Sequence, residues 1–374
     1  MKKSFKTSFA VFLSVLTFSF LSCNDVIFSD IRNEVKLNDA TVSGSIQSII
    51  RYKNNIFVAN GRIYCQPKTT TAAGNWQELS YMPDTTANIY NLAADNDCLY
   101  AVSLSYVDDD DGYNVGNERQ LWRGTLTEDS DGNITGATWE CLLTLDYSST
   151  EFLIFCTNTP LDSNRTAFFR YGDAVFKLSS SLTAEQTDTS SWTEVSTSDY
   201  FSVANSGDIS DVCSATYLAN EGVILSPYRS ATSNETESGA AAIPCVYTAN
   251  SDDIYYSTDG STWTCLDTDS DTIISIGFSQ DYMLLGTDEG IQHVTITNNV
   301  PGASTQDFDN NAASALSSYY EVPALLVVNP SQSESGTAIF AAAEFSGSSS
   351  STSATLDNVG LWGYYPSADE WNRE

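Results

Sequence analysis

The residues of this chain best suited to chemistry are carboxylates in short loops. Asp108, Asp109, Asp110 and Asp111 run together ahead of Gly112 and Tyr113, and Asp129, Asp131 and Asn133 alternate along Asp-Ser-Asp-Gly-Asn. Oxygen donors of this kind suit a hard cation such as Ca²⁺, and the alternate spacing of the second group places three donors within one turn. Four adjacent Asp cannot all point one way, so the first group reads as a solvated acidic loop whose carboxylates and Tyr113 can meet a ligand. The second reads equally as a plain β-turn. Ca²⁺ is the one cofactor these residues suggest. The single His, His293, stands mid-strand in Ile-Gln-His-Val-Thr with no partner beside it in sequence. There is no Cys-x-x-Cys pair, so a Cys/His zinc site has no support. Gly-x-Ser-x-Gly and Gly-Lys-Ser/Thr loops are also absent, which leaves no catalytic residue to name.

Those loops must be carried by β-structure. Apolar positions alternate or come in short runs bounded by Gly, Asn, Asp and Ser, and nothing has the period of a long amphipathic helix. A Trp near the end of each unit, at Trp76, Trp139, Trp192, Trp263 and Trp371, marks a repeat with intervals of 63, 53, 71 and 108 residues. The longest interval suits two units with one Trp missing. Units of this size with four short strands are the size of propeller blades. The expected fold is therefore an all-β propeller of four-stranded antiparallel blades over residues 45–374, six in number, with seven as the alternative. A solenoid or a two-domain sandwich is the rival architecture.

The expected strands are Ile46–Arg51, Ile56–Ala59, Arg62–Cys65 and Trp76–Leu79 in the first unit. The second has Ile89–Ala93, Leu99–Ser105, Gln120–Thr125 and Trp139–Thr144, and the third Phe152–Cys156, Thr166–Arg170, Ala174–Leu178 and Trp192–Ser196. Asp211–Tyr217, Gly222–Ser226, Asp253–Ser257 and Trp263–Leu266 make the fourth. The fifth offers Ile273–Phe278, Tyr282–Gly286 and Ile291–Ile296 with an unclear last strand. Ala324–Val328, Thr337–Ala343, Val359–Tyr364 and Glu370–Arg373 make the sixth. Three connections between second and third strands are long, at Tyr106–Arg119, Pro227–Asp252 and Ser346–Asn358, and they share one face of such a ring. Loops on a rigid scaffold are where binding is usually placed, so this is the expected functional face.

The stretch Asp253–Leu266 resembles the Asp-box (BNR) repeat of sialidase-like propellers, with Ser257, Asp259, Gly260, Thr262 and Trp263 matching and one residue fewer between Asp259 and Trp263. In that family the box is a structural turn, so the resemblance implies fold and not activity. At the N-terminus, Lys2, Lys3 and Lys6 precede an apolar run from Phe9 to Leu21 and then Ser22-Cys23. This resembles the signal and lipobox of bacterial lipoproteins, which implies a signal peptide over 1–22, acylation of Cys23 and a tether over 23–44. The apolar run is shorter than the roughly 20 residues of a spanning helix.

With 48 acidic against 16 basic residues and a net charge of −32, nucleic acid is an unsuitable partner. Seven Cys remain beside Cys23, an odd number that cannot all pair, and most lie in apolar strands where a thiol packs as a small hydrophobe. The expected protein is a lipid-anchored binding or scaffold propeller of a bacterial cell envelope, held at the outer membrane or cell surface, or facing the periplasm. Its partners would be the bilayer, through Cys23, and a protein or glycan. The alternatives are a glycan-active enzyme of the sialidase-like class and a structural surface lipoprotein without a specific ligand.

Overall fold

The computed structural model describes residues 40–46, 48–67, 75–79, 88–108, 114–146, 150, 152–156, 167–172, 174–194, 246–249, 253–257, 263–267, 272–278, 282–297, 300–307, 316, 320–328, 338–345, 359–365 and 370–374. They belong to one compact unit, Ala40–Glu374. Cys23, the export segment and the tether up to residue 39 lie outside the described residues.

Every described strand pairs antiparallel with its neighbours. The first sheet runs β1 (Ser48–Tyr52), β2 (Asn55–Ala59), β3 (Ile63–Pro67) and β4 (Gln77–Glu78), and the second β5 (Asn88–Ala94), β6 (Leu99–Asp108), β7 (Asn114–Glu128) and β8 (Ile134–Asp146). The third has three strands, β9 (Phe152–Cys156), β10 (Ala167–Tyr171) and β11 (Ala174–Lys177), as does the fourth, β12 (Val246–Ala249), β13 (Asp253–Ser257) and β14 (Trp263–Asp267). The fifth is β15 (Ile273–Phe278), β16 (Tyr282–Thr287), β17 (Gly290–Thr297) and β18 (Val300–Asp307). In the sixth, β19 (Tyr320–Glu321) and β20 (Leu325–Val327) both pair with β21 (Ile339–Phe345), which continues to β22 (Gly360–Tyr365) and β23 (Glu370–Arg373).

The two-residue period of a strand explains how these sheets stack. On β6, Tyr100 and Val102 enter a core shared with the third sheet, while Leu99 and Ala101 enter one shared with the first. On β21, Ile339 and Ala341 face the fifth sheet, and Phe340 and Ala342 face the first. Each of these sheets is thus apolar on both faces. The resulting order is third, second, first, sixth, fifth, with the last part of the chain packed on the first. This face-to-face succession of consecutive antiparallel sheets is a propeller.

Among the described residues five sheets, the first, second, third, fifth and sixth, pack face to face as blades, which corrects the expected six. In the fourth unit the expected strands Asp211–Tyr217 and Gly222–Ser226 lie outside the described residues. Val246–Ala249, expected inside a long insert, instead pairs with β13. A further difference comes from a weak pattern. Val300–Asp307 is polar and was unreadable as a strand, yet pairs with β17. Of the expected strand Trp192–Ser196, residues 192–194 are described, and Glu194 bridges Phe176. Val42, assigned by its sequence to the tether, is fully buried and donates its backbone N–H to Glu374 O.

The repeated Trp residues keep one phase. Trp139 lies between the second and first sheets, Trp192 between the third and second, and Trp371 between the sixth and fifth. Trp76 of the first sheet packs on the sixth, edge-on to Phe340 at 5.5 Å. Each therefore faces the preceding blade, and for Trp76 the preceding blade is the last. Its indole Nε1 donates to Glu374 Oε2 at 2.9 Å, and Tyr365 OH donates to Glu374 Oε1 at 2.6 Å. Replacing Trp76 with Phe should keep the ring contact but leave one oxygen of a buried carboxylate without its donor. We expect a loss of about 1–3 kcal/mol in unfolding free energy, read by denaturant titration.

Candidate functional site

The second sheet carries the longest strands, and β6 and β7 outrun their neighbours at one end while β7 and β8 outrun theirs at the other. β6 pairs with β7 from Leu99 opposite Gly124 to Asp108 opposite Asn114. β5 reaches only as far as Leu104, and β8 begins pairing at Glu118. Tyr106–Asp108 and Asn114–Asn117 therefore form a two-stranded arm, roughly 10 Å long at the usual strand rise. A register shift between Val107 and Asp108 marks a bulge just below the tip. The expected loop Tyr106–Arg119 is corrected accordingly. Most of it continues the ladder, because pairing its backbone groups across the hairpin satisfies them without a long loop. Asp108 closes β6 opposite Asn114; Asp109, Asp110, Asp111 and Tyr113 lie outside the described residues, as does the insert Ser346–Asn358.

The base of the arm is held by buried polar groups. Ser105 Oγ donates to Gln120 Oε1 at 3.0 Å, and Trp122 Nε1 donates to Ser103 Oγ at 2.9 Å. Both serines are buried, so these bonds replace lost water contacts and fix the register of β6 against β7. Arg119 sits 6.0 Å over the Phe152 ring and donates to Thr150 O, tying the arm to the start of the third sheet. No sequence signal singled out Gln120, Ser103 or Arg119, since their roles depend on cross-strand neighbours.

At the opposite end β7 and β8 outrun β6, and the turn joining them holds the other predicted ligand group. Asp129 Oδ1 accepts from the backbone N–H groups of Asp131 and Asn133, both at 2.9 Å, and Oδ2 accepts from Asn133 Nδ2 at 3.1 Å. Gly132 has φ +81°, the left-handed conformation such a turn requires. The structure thus brings Asp129 and Asn133 together, with the carboxylate engaged in closing the turn. The same ribbon docks on the first sheet: Lys53 Nζ lies 2.5 Å from Glu128 Oε1, and Asn55 Nδ2 donates to Gly132 O at 3.2 Å. Among the described residues, no three His, Cys, Asp or Glu side chains are placed to hold a metal ion.

The remaining sequence candidates fall into the fold. His293 is half-buried on β17, opposite Leu284 and Gln306. Tyr364 and Tyr365 enter opposite cores, and Tyr320 is buried against Phe345. Cys65, Cys98, Cys141 and Cys156 are free thiols, and burial pushes Cys65 up to about 11, so it packs as an apolar group.

Residues 6–117 match the TP013X lipoprotein family model. The match runs from the export segment through the first sheet and ends in the arm. No curated protein matches the chain. Among solved structures, the extracellular domain of a hybrid two-component system from B. thetaiotaomicron is 11% identical, with 86% of this chain and 39% of that chain covered and a TM-score of 0.35. A protein from Lactobacillus plantarum is 12% identical over 78% of this chain and 76% of that one, TM-score 0.34. The β-propeller domain of Myceliophteria thermophila Swd1 is 9% identical over 83% and 98%, TM-score 0.34.

The hydrogen bonds to Asp129, led by that from the Asn133 side chain, favour its ionised form and lower its pKa below the ordinary 3.8. A carboxyl lowered on folding stabilises the fold above its unfolded pKa, and that contribution is lost as pH falls through the folded value. In an NMR titration Asp129 should therefore titrate below ordinary aspartates, and Asn133→Ala should move it back toward 3.8.

Proposed function

We propose that this is a lipid-anchored propeller of the bacterial cell envelope that binds a protein or glycan partner through the face bearing the β6–β7 arm. The observation that carries the reading is the arm itself. A two-stranded extension seated on a buried polar base carries β6 to Asp108 and β7 from Asn114 past the neighbouring strands, and in sequence the Asp108–Asp111 run and Tyr113 join the two, as binding loops are joined to rigid scaffolds. The partial lipoprotein-family match and the Ser22-Cys23 junction support anchoring through acylated Cys23. Acyl chains contribute about 0.8 kcal/mol per buried methylene, which makes a multiply acylated Cys a firm anchor. On this reading the protein is a binder and not an enzyme, which is favoured by the use of Asp129 as a turn closer.

Anchoring predicts that the wild type takes up labelled palmitate and partitions into the detergent phase of a Triton X-114 extract. Cys23→Ala should do neither; continued incorporation of label would remove Cys23 as the anchor. The binding face predicts that replacing 109–113 with Asn-Gly, a two-residue hairpin turn, leaves the circular dichroism and thermal midpoint unchanged. Cross-linked capture from the source envelope should then recover a partner with the intact arm and lose it with the trimmed one. Equal recovery by both would move the binding face elsewhere.

A further inference from the structure

Among the described residues the third sheet has three strands, and the segment that follows β11 crosses to the second sheet before it returns. After Leu178, whose N–H still bonds Ala167 O, the chain leaves the sheet and crosses onto β8 of the second sheet. There Glu185 N donates to Cys141 O at 2.8 Å, Gln186 N donates to Leu142 O at 3.0 Å, and Thr144 N donates to Gln186 O at 3.0 Å. Leu143 and Gln186 form a parallel bridge, the reverse of the antiparallel pairing in every sheet. The chain then returns, buries Trp192 edge-on to Phe169 and Phe176, and bridges Phe176 through Glu194.

One side chain fastens this crossing. Arg123, on β7, points Nη1 at the carbonyls of Ser179, Ser180 and Leu182 at 3.1, 2.9 and 2.9 Å, and its Nη2 lies 2.5 Å from Glu140 Oε2. A planar guanidinium can serve several carbonyls and a carboxylate at once, which an ammonium on a flexible stem cannot. One feature opposes closure: Glu185 has φ +58°, a left-handed conformation that costs a residue with a Cβ.

We propose that residues 179–194 are a strap, latched by Arg123, that guards the outer edge of β8 against pairing with the same edge of a second copy of this chain. An outer strand with unpaired N–H and C=O groups is a template for edge-to-edge association. The strap occupies Cys141–Thr144 of that edge with the three backbone bonds above. It rests on β8 and is latched to β7, so it also stiffens the pairing of those two strands.

The test uses the full chain carrying Cys23→Ala, so that acylation does not drive association. Hydrogen exchange is read at the Thr144, Glu185 and Gln186 amides, and sedimentation velocity over rising protein concentration reads self-association. Arg123→Ala should speed exchange at those three amides by about tenfold or more, leave Val102 and Leu121 unchanged, and produce concentration-dependent dimers. Unchanged exchange would overturn the latch; faster exchange with a monomer at every concentration would overturn the guarding role. Glu185→Gly tests the same strap in the opposite direction, since it removes the left-handed penalty without touching the latch. It should slow exchange at Thr144 and Gln186 by about threefold, and faster or unchanged exchange would also overturn the proposal.

Discussion

The carboxylate of Glu374 holds the first and last blades together, and the ring depends on that closure. It is 1% exposed, and a buried carboxylate is costly unless its oxygens are hydrogen-bonded. Trp76 from the first sheet and Tyr365 from the sixth each donate to one oxygen. Gly363 makes room for it: a Cβ there would stand 2.3 Å from Glu374 Oε1. Burial, and then the charge of Glu374, push the Tyr365 phenol above its usual range, so it stays a donor. Backbone bonds from Val42 N to Glu374 O and from Glu374 N to Leu361 O complete the junction. Closure of this kind leaves no open sheet face at the seam.

The other junctions repeat one arrangement with different chemistry. Alternating residues of the first, second and sixth sheets divide between two cores, and neighbouring sheets are cross-linked by short polar bonds. Asn91 Oδ1 accepts from Ile154 N at 2.8 Å between the second and third sheets, and Ser275 Oγ donates to Val322 O at 2.7 Å between the fifth and sixth. Arg51 Nη1 donates to Val328 O at 2.6 Å across the seam. Interfaces so close admit little change of volume. At Gly124 a Cβ would come within 2.6 Å of the Trp139 ring that fills the space above it. Cores packed this tightly make a stiff base, which a projecting arm needs if its tip is to hold a fixed position.

The two Asp-rich loops illustrate how similar compositions acquire different roles. They flank β7, one joining it to β6 and the other joining it to β8. At the β7–β8 turn the carboxylate of Asp129 is surrounded by the N–H groups of its own turn, and Glu128 meets Lys53 of the first sheet, so the acidic residues serve folding. At the other end of β7, β5 and β8 have both ended before Asp108 closes β6. The difference lies in which neighbouring sheet is within reach, and composition carries no information about that.

Local pattern determined much of this protein. The strands of the first unit and the inner strands of the second were readable from alternation and turn residues because a two-residue period and a Gly or Asn turn are local properties. The Trp repeat fixed the phase of the blades for the same reason: a bulky ring recurring at one strand position must meet one kind of interface. The Asp129 turn was equally legible, since its hydrogen bonds span only four residues. What depended on distant partners was invisible. Val300–Asp307 is a strand because β17 offers it an edge, the arm continues because β6 and β7 pair past their neighbours, and residues 179–186 leave the third sheet because Arg123 and β8 hold them. Glu374, an unremarkable acidic residue in the sequence, is the centre of the seam only because tertiary packing brings Trp76 to it from 298 residues away. Alternation and turns are written within a few residues, whereas edges, seams and latches exist only where segments meet.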